Sequence, residues 1–62
     1  MYTVDVEYEL VNPEEQRLEK MNLSHTYRNR YQCFKTIDYY AERYGKLLVG
    51  YEIIREYECE TA

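Results

Sequence analysis

"NPEEQRLEKMNLSHTY", residues 12–27, is the stretch whose reading decides the architecture. Asn12 ahead of Pro13, with Glu15 three residues beyond Asn12, carries the signals of a helix start: a cap and a first-turn proline. Leu18 and Met21 would then form the apolar face of a short helix across residues 13 to 22. The same letters also make a turn. Asn followed by Pro suits the first two positions of a type I turn, the core of many four- and five-residue hairpin loops. The apolar content is poor for a helix that must bury a face, and "MNLSHTY" returns to alternation through Met21, Leu23 and His25. The segment therefore reads as a hairpin loop at "NPEE" and a strand over residues 17 to 26. Leu18 is out of phase with Met21, which predicts a bulge or irregular start.

Upstream, "YTVDVEYELV" sets Tyr2, Val4, Val6, Tyr8 and Leu10 against Thr3, Asp5, Glu7 and Glu9. Period two with β-branched and aromatic enrichment predicts a half-buried strand. Downstream, Asn29 stands three residues before Gln32 in a capping-box pattern. Cys33, Phe34, Ile37, Tyr40, Ala41 and Tyr44 then share one helical face. Gly45 suits the position after the helix, and Arg43 and Lys46 suit its negative end. The helix is expected over about residues 30 to 44. In "KLLVGYEIIREYE", Leu47, Val49, Tyr51, Ile53 and Tyr57 share a face with Arg55. Leu48, Gly50, Glu52, Ile54 and Glu56 take the other. This is a long strand, followed by a polar tail expected to fray over about residues 59 to 62.

A hairpin makes strands one and two antiparallel, and a helix returning along the sheet lets strand three pair antiparallel with strand one. The expected fold is a single two-layer α+β domain over residues 1–62, ββαβ, with sheet order 2-1-3 and the helix on one face. The order 1-2-3 would need a parallel pair with a right-handed crossover. The expected core is Val4, Val6, Leu10, Phe34, Ile37, Ala41, Val49 and Ile53.

Sixty-two residues with nine tyrosines, one phenylalanine and no tryptophan form a thin core. A domain of this size buries only about 60% of the surface of its unfolded chain. Tyrosine suits that limit, since its ring packs while its hydroxyl reaches water. A net charge of −4 argues against a bulk phosphate-binding surface and against adsorption to anionic membranes. The start "MYTVDVEYEL" lacks the pattern of a signal peptide and no apolar run is long enough to span a bilayer, so the cytosol is the expected compartment. Cys33 and Cys59 fit no zinc spacing and are expected to stay reduced there.

No catalytic, metal or cofactor motif is present, and no cofactor is expected. His25, Cys33 and Cys59 fall toward one end of the domain but at separations that do not form a ligand set. Gly45 and Gly50 are isolated, so neither opens a phosphate-binding loop. The expected function is a non-enzymatic protein-binding module. Its size and acidity resemble those of small accessory proteins of phages and plasmids, which implies a modulator of a host protein.

Three surfaces come forward. Tyr2, His25, Tyr27, Arg55 and Tyr57 are expected to converge where the sheet runs out from under a shorter helix, with a composition that interface hot spots favour. The open sheet face gathers Asp5, Glu7, Glu9, Glu52 and Glu56, interrupted by Val11, Leu48 and Ile54. That arrangement, with strand three at a sheet edge, suggests a two-fold homodimer. The alternative function is nucleic-acid binding by Arg28, Arg30, Tyr31, Lys35 and Tyr39, which set positive charge beside aromatic rings.

Overall fold

The computed structural model describes residues 1–59, and the tail expected to fray over about residues 59 to 62 lies, from residue 60 on, outside the described residues. Strand β1 (Tyr2–Asn12) and strand β2 (Arg17–Tyr27) form a hairpin, helix α1 (Arg30–Tyr44) follows, and a short 3-10 turn leads into strand β3 (Leu48–Glu58). The sheet order is β2-β1-β3, antiparallel throughout, with the helix packed on one face. The chain is thus a ββαβ domain of the α+β class.

Asn12 explains why residues 12–17 resemble a helix start. Its Oδ1 accepts from the amides of Glu14 (3.0 Å) and Glu15 (3.2 Å), the bonds of a cap. The turn does not propagate. Gln16 enters the left-handed region (φ 52°) and the chain reverses into Arg17, which pairs with Asn12. The register of β1 with β2 then runs unbroken from Asn12–Arg17 to Tyr2–Tyr27. The bulge expected at Leu18 is absent, because Leu18 pairs directly with Val11 on the face away from the helix.

Asn29 caps α1 as its pattern predicts, its Oδ1 accepting from the Gln32 amide at 2.9 Å. The Gln32 side chain accepts in turn from the Arg28 amide. Gly45 closes the helix with φ 56°, a conformation open to glycine, and its amide bonds to the Ala41 carbonyl.

Strand β3 departs from the expected phase. Ile53 faces Val6 and Arg55 faces Asp5, so Ile54 is an extra residue; Leu48 faces Leu10 and Gly50 faces Glu9, so Val49 is another. Each bulge reverses the alternation. Tyr51 and Ile53, between the bulges, keep their place on the helix side. Leu48 and Glu56 move to the helix side, while Val49, Arg55 and Tyr57 move to the open face.

The core follows from this phase. Val4, Val6, Tyr8, Cys33 and Ile37 are fully buried. Tyr8 and Cys33 stand where Leu10, Phe34, Ala41 and Ile53 were expected, and those four are only half-buried. Val49, turned outward by its bulge, is 57% exposed.

The helix lies over β1 and β2 and leaves β3 largely outside its footprint. Fifteen helical residues span about 22 Å and eleven strand residues about 36 Å. Cys33, near the start of α1, reaches the carbonyls of Tyr2 and His25, and Tyr44, at its end, reaches the Tyr8 ring. The covered end is therefore the one bearing Tyr2 and Tyr27. The expectation placed the helix over the opposite end, and the geometry inverts it: the hairpin stem around Leu10, Val11 and Leu18 projects beyond the helix. The molecule is accordingly long and narrow, 46 × 17 × 14 Å.

Candidate partner-binding surface

The five residues expected to converge are divided between the two faces. Tyr2 and Tyr27 face each other on the helix side, and His25 faces Val4 beside them. Arg55 and Tyr57, reversed by the bulge at Ile54, lie on the open face opposite Asp5 and Thr3. The sheet itself separates Arg55 and Tyr57 from the other three.

His25, although on an edge strand, turns its side chain into the core. It is buried, and its Nε2 lies 2.7 Å from the Tyr8 hydroxyl. The arrangement that satisfies both groups has the ring proton on Nδ1 and the phenol donating to Nε2. Tyr40 and Tyr44 close over the pair from the helix, and Tyr51 closes from β3. Burial lowers the His25 pKa and pushes that of Tyr8 up to about 12, with Tyr44, Tyr40 and Tyr51 adding to the latter. Cys33 donates to the His25 carbonyl at 3.4 Å, and Cys59 lies exposed beside Met1. Among the described residues, no three His, Cys, Asp or Glu side chains converge as a metal site would require.

At the Tyr2 end a polar clasp ties α1 to β3. Glu56 Oε1 accepts from Tyr2 Oη (2.8 Å) and from Arg30 Nε (2.7 Å). The Arg30 guanidinium, and then the Tyr2 hydroxyl, hold the Glu56 carboxyl below its ordinary pKa. Glu56 is thereby removed from the acidic face where it was expected.

The open face retains Asp5, Glu7, Glu9 and Glu52 and gains Arg55. Arg55 Nε donates to Asp5 Oδ2, Ser24 Oγ donates to Asp5 Oδ1 at 2.6 Å, and both contacts hold the Asp5 pKa down. Lys20 reaches Glu7 at 3.5 Å. The Arg55 guanidinium also stacks 4.9 Å from the Tyr57 ring centroid. Beside this ordered group stands Ile54, 53% exposed, on the rim of a shallow depression lined by Asp5, Glu7, Asn22, Ser24 and Arg55. Leu48, expected on this face, lies on the other. The signal for Ile54 was present in the sequence as apolar residues on both faces of strand three; only its pairing partner reveals which face it takes.

The basic and aromatic residues of the helix do not form one track. Arg30 turns toward β3, engages Glu56 and covers the Phe34 ring at 4.4 Å. Lys35 stacks on Tyr31 at 5.3 Å on the outward side, where Asp38 and Glu42 are also exposed. Tyr39, exposed, accepts from Arg43. Arg28 lies in the exposed link between β2 and α1. No helix among the described residues is long and apolar enough to cross a membrane. Compared with protein-family models, with curated proteins and with solved structures, the chain has no match.

Proposed function

We propose that this chain is a non-enzymatic protein-binding module that engages its partner through the open sheet face, centred on Ile54, Arg55 and Tyr57. The observation that carries the reading is the bulge at Ile54. It turns an isoleucine into solvent beside an arginine already held by Asp5 and stacked on Tyr57. An aliphatic anchor next to an ordered arginine and a tyrosine is the composition of an interface hot spot. Because Arg55 is held in place before contact, less side-chain entropy is lost on binding. The helix covers the other face, which leaves this one free for a partner.

The test is capture of a protein partner from the natural cellular setting, comparing the wild type with Ile54→Ser and Arg55→Ala. Loss of one defined partner with both variants, at unchanged helix and strand content, supports the reading. A partner retained by both variants overturns it. So does recovery of nucleic acid whose binding weakens steeply with salt, the mark of phosphate contacts.

A further inference from the structure

The two edges of the sheet are built differently. Strand β3 is interrupted by two bulges, a device that protects an edge against pairing. Strand β2, the other edge, runs eleven residues with no bulge and no proline. Met1 and Cys59 exchange both backbone bonds, at 3.0 and 2.8 Å, so Met1 directs its polar groups toward β3 and Tyr2 directs its own toward β2. Carried along the unbroken register, this alternation turns the amides and carbonyls of Leu18, Lys20, Asn22, Ser24 and Thr26 to the free edge.

We propose that β2 is the interface of a two-fold homodimer, in which the β2 strands of two copies pair antiparallel about Asn22 and join two sheets into one of six strands. The position of the helix supports this occupant over a foreign strand. Helix α1 straddles β1 and β2 rather than centring on the sheet. With strands about 4.8 Å apart, its axis falls about 5 Å from the dimer axis. The two helices then lie about 10 Å apart, at the distance of packed helices. The flank brought into that seam is the one that sets Tyr40 against His25, and at about 3.6 residues per turn it carries Thr36 and Arg43. Pairing about Asn22 sets Met21 opposite the partner's Leu23, Lys20 opposite the partner's Ser24, and Glu19 opposite the partner's His25. No like charges meet across the paired strands. The two-fold axis stands perpendicular to the sheet, so both open faces point the same way. The inference does not rest on those faces binding anything.

Sedimentation equilibrium of the purified chain from low to high micromolar concentration tests it. The wild type is expected to be a dimer. Asn22→Pro removes an amide that faces the edge and not β1, so strand and helix content should survive by circular dichroism. Losing two symmetry-related backbone bonds should raise the dimer dissociation constant about a hundredfold. Thr36→Arg, which leaves β2 untouched, adds positive charge beside Arg43 in the helix seam and should weaken the dimer at least about tenfold; it decides the matter if Asn22→Pro does not fold. A wild type monomeric through high micromolar concentration overturns the proposal. So does a dimer that Thr36→Arg leaves unchanged, which would place the contact at β3 or on the open face.

Discussion

Tyr8 and His25, on neighbouring strands and both buried, share a 2.7 Å hydrogen bond at the centre of an otherwise apolar cluster. Each group needs the other, because a buried polar atom left unpaired costs about 1–3 kcal/mol. Tyr8→Phe keeps the ring and removes the donor, so it should destabilise by about that amount. Denaturant titration measures it, and a change within error would mean that His25 Nε2 finds water.

The same pair predicts a stability that declines at both ends of the pH scale. Burial lowers the folded-state pKa of His25, so below the ordinary value of about 6.5 the unfolded chain binds more protons. This contribution is complete above about pH 6.5 and is lost as pH falls below it. For Tyr8 the folded value is raised to about 12, so its contribution is complete below about pH 10 and is lost as pH rises through about 12. Unfolding free energies across pH 5 to 7 should slope upward in the wild type and lose that slope in His25→Gln.

Burial ranks the apolar truncations. Ile37→Ala empties a fully buried site and should cost about 2–5 kcal/mol, enough to unfold much of a domain this small. Phe34→Ala should cost less than the roughly 3–5 kcal/mol of a central phenylalanine, because its ring is half-buried beneath Arg30. Val49→Ala should stay within about 0.5 kcal/mol. Melting curves of the three variants should fall in that order.

Two backbone positions should respond in opposite senses. A Cβ added at Gly45 would point into open space, so Gly45→Ala meets no neighbour and its cost, about 1–3 kcal/mol, is conformational. Gln16 already sits at φ 52° with a side chain, and Gln16→Gly should stabilise by up to about 1 kcal/mol. Equal melting temperatures for Gln16→Gly and the wild type would show that the loss of unfolded-state restraint cancels the gain.

Most of the architecture was legible because single elements carry their own signals. The alternation of β1, the Asn29 cap and Gly45 are local, and they located the hairpin, the helix and the strand order. The phase of β3 was not local. Apolar residues at Val49, Ile53, Ile54 and Tyr57 fit either face, and a bulge appears only when the partner strand is beside it. That single gap propagated into the candidate site, placing Arg55 and Tyr57 with Tyr2, and Glu56 among the open-face acids. It also placed Val49 in the core. The reach of the helix was misjudged for a different reason. Strand and helix lengths were correct, but which end is covered depends on where α1 starts. The short Arg28–Asn29 link holds that start directly above Tyr2 and His25.

The central position of β1 has a kinetic consequence. Its pairing with β2 closes a four-residue loop, whereas its pairing with β3 joins Tyr2 to Glu58 across nearly the whole chain. Loop closure and helix formation take nanoseconds to microseconds, and long-range pairing waits on the larger entropy loss. The hairpin with its helix should therefore assemble first, and β3 should zip on last. Until it does, one whole side of β1 stands open, and Tyr8 lacks the ring of Tyr51. Conditions that slow this last step would expose the most aggregation-prone species on the pathway.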